Sequence, residues 1–298
     1  MALSHDPLWP RAGDWPPPAA ARADAAILGV PAHKTSLSPT GAHATPAAVR
    51  DALRRYSPTL IGPPPIDLGH LRVVDAGDVV DPDGPDGEAR VEAAVGALDA
   101  GRIIALGGDN SITSAVARGA AAHGLVTFDA HYDLRDGVSN GSPVRRLVEG
   151  GLDPRRVVQI GIADFANSVA YAQRALDLGI TVIPLDEVRR RGIDDVVTEA
   201  LEIAGAGVGG IHLDIDVDVC DRAVAPGCPA SVPGGLAAWE LRALTRGIAR
   251  DPRVRSADIV EVDATADTPD GRTVRLATLC VLELLAGLAL SPSEGNPE

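Results

Sequence analysis

The chain has 298 residues, 45% of them hydrophobic and 23% charged, with a formal net charge of -14. Such a length and composition fit one large α/β domain or two small ones, and the acidic balance excludes a nucleic-acid groove or an anionic membrane surface. The first 22 residues lack the apolar core of a secretory signal, and no apolar run is expected to reach the roughly 20 residues that span a bilayer. Cys220, Cys228 and Cys280 cannot pair completely and show no C-x-x-C spacing, so they read as small apolar residues of a reducing cytoplasm.

Taken in order, residues 1–22 predict an irregular arm packed on the body, with Trp9-Pro10 and Pro16-Pro17-Pro18. Ala25–Val30 reads as a buried strand, and Pro46 sits just inside a helix that runs to about Arg55 with Thr45 as its cap. After a breaker at Gly62–Pro65, Leu71–Ala76 reads as a strand, Asp81–Asp86 as a polar turn and Glu88–Leu98 as a helix. Arg102–Leu106 is the next strand, and Gly107-Gly108-Asp109-Asn110-Ser111 turns into a helix through about Ala122. Leu125–Phe128 is a buried strand end, and Pro143 opens a helix that stops at Gly150-Gly151. Strands at Val157–Ile162 and Thr181–Pro184 flank a helix at Asn167–Leu178. A helix at Asp194–Ala204 and a strand at Gly209–Asp216 precede a Pro/Gly-rich loop from Ala225 to Gly235. Ala237–Ala249 (helix), Val254–Val262 (strand) and Thr273–Leu290 (helix) close the chain. Short apolar strands alternating with helices predict a mostly parallel sheet covered on both faces, a three-layer α/β/α fold. No compositional shift marks a linker, so residues 23–290 are expected to form a single domain and 291–298 a flexible tail.

Three loops at predicted strand ends gather the polar residues: Gly107–Ser111, Asp129–Asp133 and Asp214–Asp221. In Asp129-Ala130-His131-Tyr132-Asp133, two carboxylates and an imidazole fall directly after an apolar strand end. Carboxylate oxygen with imidazole nitrogen suits a divalent first-row metal, and open α/β sheets place their sites at the C-terminal ends of strands. D-x-H-x-D is also the pattern of a solvated loop with a helix cap. The second acidic cluster, Asp214-Ile215-Asp216-Val217-Asp218, favours the metal. Carboxylates at this density need a counter-charge, which two divalent cations about 3.5–4 Å apart would supply while acidifying a water.

The order G-G-D-[HN]-S, D-A-H-x-D, D-x-D-x-x-D resembles the ureohydrolases, the family of arginase, agmatinase and formimidoylglutamase. Leu28-Gly29-Val30-Pro31, the Gly41–Pro46 loop, Asn140-Gly141-Ser142-Pro143 with Arg145-Arg146, Ala225-Pro226-Gly227 and Asp258-Ile259-Val260-Glu261-Val262 extend the likeness over most of the chain. It implies an arginase-like fold, two Mn2+ ions, a small amidine or guanidino substrate and a homo-oligomer, commonly a trimer or hexamer. It also sets the register of the second cluster. D-x-D-x-x-D matches Asp216, Asp218 and Asp221, since starting at Asp214 would need an acid where Val219 stands. Carried over residue by residue, the metal ligands are Asn110, Asp129, His131, Asp133, Asp216 and Asp218, with Asp129 bridging and His131 and Asp133 on different ions. Asp221 becomes a supporting residue or structural cap. Asp214 stands where the family has serine, on the strand face of Asp216 and Asp218, and so could be drawn into the site.

Two further positions depart from the family pattern. Asn110 stands where histidine is usual; its amide oxygen is a neutral and weaker donor, so that metal site is expected to be weak or empty. Asn110 also reads as a helix cap. Asn140 stands where arginase- and agmatinase-like members have a histidine credited with proton shuttling, and asparagine cannot titrate. Formimidoylglutamase-like members resemble the chain better, through Asp133-Leu134-Arg135, the Ala225–Pro229 run, and Gln159-Ile160-Gly161 with Phe165, Asn167, Ser168 and Tyr171. The resemblance implies Asp129 and Glu261 as catalytic residues, Glu261 also accepting hydrogen bonds from the amidine. Arg135, Asn140 and Asn167 are expected to bind substrate, with Tyr171 a weaker candidate. Arg135 could pair a substrate carboxylate through two N–H bonds, or simply bridge Asp136. The implied reaction is hydrolysis of N-formimino-L-glutamate to L-glutamate and formamide. Alternatives are a guanidino hydrolase releasing urea, or a family member that binds a ligand without turning it over.

Overall fold

Alternation within the strands decides how the sheet is covered. In the computed structural model, which describes residues 6–291, the first strand, β1 (Ala23–Val30), sends Ala25 and Ile27 into one core and Leu28 and Val30 into another. The chain continues through α1 (Thr45–Leu53), a small hairpin of β2 (Thr59–Leu60) and β3 (Ile66–Asp67), β4 (Val73–Asp78), α2 (Gly84–Gly96) and β5 (Ala100–Gly107). Then come α3 (Ile112–Gly119), β6 (Ala122–Phe128), α4 (Pro143–Glu149), β7 (Val157–Ile162), α5 (Val169–Leu178) and β8 (Thr181–Pro184). The last third holds α6 (Leu185–Arg191), α7 (Ile193–Ala204), β9 (Gly210–Asp216), α8 (Ala238–Ala249), β10 (Val254–Val260) and α9 (Arg272–Leu290).

Eight strands form one parallel sheet in the order β4-β1-β5-β10-β9-β6-β7-β8. The larger core packs α1, α7, α8 and α9 on one face, with Val188 of α6 at its edge. On the other face, α2 and α3 cover β1 and β5, while α4 and α5 cover β6 and β7. The expected three-layer α/β/α architecture is therefore present. Residues 6–22 hold no helix or strand; Trp15 packs on the larger core and Pro16 accepts a hydrogen bond from the Asp75 amide. The tail expected at 291–298 lies, beyond Ser291, outside the described residues.

Four expectations need correcting. Helix α2 starts at Gly84, because Pro85 sits in its first turn, where a proline costs nothing; the polar turn is thus partly helix. Helix α3 stops at Gly119 rather than Ala122, where a Cβ would meet the Glu92 carbonyl oxygen of α2 at 2.7 Å. Helix α6 was not anticipated; Asp186 and Glu187 in its first turn and Arg189, Arg190 and Arg191 in its last complement the helix dipole. Finally, the 19-residue α9 is long and apolar enough to cross a membrane by length and composition. Here its apolar side chains, such as Leu276, Val281 and Leu284, are buried in the larger core.

Between β5 and β6 the chain jumps sideways, since β10 and β9 lie between them in the sheet. That is a topological switch point, and the crevice beyond the C-terminal ends of such strands is where open α/β sheets carry their ligands. Every polar loop singled out from the sequence leaves one of these central strands at that edge: Gly107 to Ser111 after β5, Asp129 to Asp133 after β6, Asp216 to Asp218 at the end of β9, and Glu261 after β10.

Candidate metal centre

Gly108 makes the first approach possible. A Cβ there would lie 2.2 Å from the Ala32 carbonyl oxygen, so only glycine lets the end of β5 run this close to the loop after β1. Beyond it, the Asn110 amide donates to Oε1 of Glu261 at 2.8 Å. The Asn110 side chain turns its NH2 to the carboxylates, reaching Asp133 at 2.7 Å and Asp216 at 3.1 Å. Its oxygen faces the Thr113 hydroxyl at 2.6 Å. Two carboxylates on one side dictate that orientation, since they can only accept.

Asp129, His131 and Asp218 form the tightest group, with one ligand atom of each lying within 4.8 Å of the others. Nδ1 of His131 stands 2.7 Å from Asp218 and 3.4 Å from Asp129. Oδ1 of Asp129 takes the His131 amide, and Oδ1 of Asp218 takes the Ala130 amide at 3.0 Å. The other Asp129 oxygen, Oδ2, is fully buried with no hydrogen-bond partner among the described residues. Burying a carboxylate oxygen without a partner is costly. An orphaned anionic oxygen beside an imidazole and a second carboxylate is the donor set that a divalent cation satisfies, so the residues present fit the expected metal.

Electrostatics point the same way. Burial, together with the charge of Asp218, pushes Asp129 up to about 7. Burial also raises Asp133, helped by Asp129, and Asp216, helped by Asp218. His131 is pushed up to about 12: burial works against its charge, and Asp218 and Asp129 outweigh it. Asp218 is held below the usual range despite its burial, because His131 and the Ala130 amide favour its anion. Fully ionised, these acids would carry more negative charge than one imidazolium can answer, which is why most of them favour the protonated form in the metal-free site.

Glu261 lies just past β10 with φ 61, and Asp133 has φ 52, both in the left-handed region that non-glycine residues rarely adopt. Strain of this kind, of order 1–3 kcal/mol per residue, gathers where surrounding structure over-determines the backbone. Oε1 of Glu261 takes both the Asn110 amide and, at 2.9 Å, the Asn140 NH2. Burial pushes Glu261 up to about 8 against those two bonds. The Asn140 oxygen accepts the Leu37 amide at 3.0 Å, so this residue ties Glu261 to a rim loop.

Above these groups opens a pocket of about 450 Å³ whose walls include Leu37, Arg135, Asn140, Phe165, Tyr171 and Glu261. Arg135 reaches it over Gly141, where a Cβ would press on Cδ of Arg135 at 2.8 Å. Its side chain makes no ion pair or hydrogen bond among the described residues, because Asp136 is taken by Arg174 at 2.8 Å. Asn167 also lines the pocket, but its amide is spent on backbone: its oxygen takes the Tyr132 N–H and its NH2 reaches the Ala130 and Ala163 carbonyls.

Of the residues singled out from sequence, the structure brings together Asn110, Asp129, His131, Asp133, Asp216, Asp218, Asn140 and Glu261, with Arg135 at the pocket wall. Asp214 is not among them. It is buried two residues before Asp216 on β9, accepting the Thr127 hydroxyl at 2.8 Å and facing Asp258 on β10 in register. Asp221 caps the following loop through the Ala223 and Gly234 amides. Thr113 and Gln159 went unread as site residues. Thr113 follows Asn110 by three on the helix side, the one spacing that could have flagged it.

With this geometry in place, comparisons with known proteins bear on it. The model of the Arginase family matches residues 23–287, and the chain belongs to that family. Among curated relatives, formimidoylglutamase of Halalkalibacterium halodurans is 36% identical over 276 residues, 88% of this chain and 86% of its own. Guanidinopropionase of Pseudomonas aeruginosa is 34% identical, covering 89% and 86%. Among solved structures, formimidoylglutamase from Bacillus subtilis superposes with a TM-score of 0.91 at 31% identity, over 98% of this chain and 95% of its own. A Trypanosoma cruzi formiminoglutamase solved with Mn2+2 gives 0.84 at 25% identity, over 95% and 100%.

Proposed function

We propose that the chain hydrolyses the C–N bond of a linear amidine that carries a carboxylate, most closely N-formimino-L-glutamate, giving L-glutamate and formamide. One observation carries the substrate class: Arg135 presents a guanidinium with no protein partner among the described residues at the wall of the pocket, while its neighbour Asp136 is held by Arg174. A planar guanidinium left in that state fits a carboxylate through two N–H bonds; a cationic guanidino amine would be repelled. Similarity to formimidoylglutamases supports the same choice, and the Mn2+2 of the Trypanosoma cruzi protein supports manganese.

Asp129, His131, Asp133, Asp216 and Asp218 would hold the metal. When bound, divalent cations supply positive charge for the developing anion and lower the pKa of a water. Asn110 presents NH2, not oxygen, to Asp133 and Asp216; an ion there would have to turn that amide, which supports one strong site and one weak. Glu261 holds a proton at neutral pH in the metal-free site. Its Oε1 already accepts two N–H bonds, so that proton sits on Oε2, which can accept a substrate N–H once the carboxyl is ionised. Asn140 fixes Glu261 and the rim but moves no proton.

The test is turnover of manganese-loaded protein on formiminoglutamate, agmatine and guanidino acids, with the product identified, in wild type and Arg135→Met. Formamide from formiminoglutamate is expected. Arg135→Met should raise KM for it about 10–100-fold, the loss of a charge-assisted hydrogen bond of ~1.5–3 kcal/mol, without raising KM for a carboxylate-free substrate such as agmatine. Urea from a guanidino compound alone would overturn the substrate choice.

A further inference from the structure

The polar residues of β7 and the loop after it, Gln159 and Asn167, are not accounted for by substrate or metal. Their partners are all in one place. The Asn167 NH2 donates to the Ala130 carbonyl at 2.8 Å, and its oxygen accepts the Tyr132 N–H at 3.1 Å. Gln159, fully buried on β7, donates to the Tyr132 carbonyl at 2.8 Å. The Ala163 amide adds a bond to the Ala130 carbonyl at 3.0 Å. These groups grip the backbone immediately before and immediately after His131.

The remaining bonds to this segment come from the site itself, Asp218 to the Ala130 amide and Asp129 to the His131 amide. Those two carboxylates belong to the same charged cluster as the imidazole, so they cannot fix the segment independently of what the cluster binds. Gln159 and Asn167 can. Both are neutral; Gln159 is held on β7, which pairs with β6 from Leu125 to Phe128, and Asn167 is tied to the residue just past that strand through the Ala163 carbonyl at 3.3 Å.

We propose that Gln159 and Asn167 are positioning residues: an amide brace that sets where the His131 imidazole stands and thereby sets the affinity of the centre for manganese. The brace rests on the reading of His131 as a metal ligand. It assigns Asn167 no contact with substrate, in place of the substrate-binding role expected from sequence. Partners that orient a ligand one step removed from the metal typically alter metal affinity by about 10–100-fold.

The test is Mn2+ affinity, read from the electron paramagnetic resonance signal of the free ion during titration of wild type, Asn167→Ala and Gln159→Met. KM is measured separately at saturating Mn2+, and melting temperature in chelator. Both variants are expected to bind Mn2+ about 10-fold or more weakly, with KM at saturation within a few-fold of wild type. Gln159→Met removes a single bond and keeps the experiment decisive if Asn167→Ala does not fold. Unchanged Mn2+ affinity with a raised KM would overturn the brace and make Asn167 a substrate contact. A lowered melting temperature with unchanged affinity and KM would overturn it too, leaving only loop stabilisation. Wild-type protein that binds no Mn2+ would overturn the metal reading beneath it.

Discussion

At Asn110 one amide does the work that a cation would otherwise do for Asp133 and Asp216, donating to both from a buried position. Removing it strands two buried carboxylates. Asn110→Ala should destabilise the metal-free protein by about 1–3 kcal/mol, measured by urea unfolding in chelator, and should cost much less once manganese is present. An equal loss with and without metal would show that the amide is not standing in for charge. The carboxylates and His131 were legible from sequence because their types and spacing follow strand ends. Asn110 was legible as a departure, but which end of its amide faces the acids depends on Thr113 and on two strands far away in the chain. Asn167 shows the same limit: a pattern places an amide near the pocket, and only the fold shows the backbone groups that pair with it.

Arg102 is the corresponding case among whole elements. This fully buried residue of β5 donates to the carbonyls of Ala249 at the end of α8, Val254 at the start of β10 and Leu284 within α9. Burial lowers its pKa to about 10, so it stays charged at neutral pH and answers the negative end of α8. Arg102→Met would leave several buried carbonyls unpaired, and a loss of about 3 kcal/mol or more is expected from denaturant unfolding. Turnover per folded molecule should be preserved, since the residue lies at the edge of the sheet opposite the pocket. Nothing in the sequence marks Arg102 beyond its place at the start of an apolar strand. Helix α6 escaped notice because seven residues are too few to show a helical period and Pro184 before it reads as a strand end, whereas the equally short α4 is marked by Pro143 at its start and Gly150-Gly151 at its end.

Over the whole molecule, the metal-free site links stability to pH. Asp129 at about 7 and Glu261 at about 8 lie above the ordinary carboxyl range, so the folded state holds more protons than the unfolded chain and is weakened as pH rises from ~4 to ~8. His131, held up to about 12, contributes stability that is full below ~6.5 and lost as pH climbs beyond it. Both signs agree. Chelated protein should melt lower at pH 8 than at pH 5 by about 5 °C, the shift that roughly 2 kcal/mol produces in a large domain, and Mn2+ should remove most of the difference. A chelated protein whose melting point rises with pH would contradict these assignments.

The sideways step between β5 and β6 also has a temporal side. A ribosome delivers β5 and β6 long before β9 and β10, the strands that must slot between them. Until then two apolar central edges stand open, with nothing native to pair with, and open strand edges invite association. The sheet therefore cannot close progressively as it is made; it waits for the final third of the chain, and with it for Asp216, Asp218 and Glu261, three of the five acids that surround the pocket floor. Such late, long-range closure predicts slow refolding from denaturant, in the millisecond-to-second range or beyond, and makes the nascent chain a natural client for chaperones.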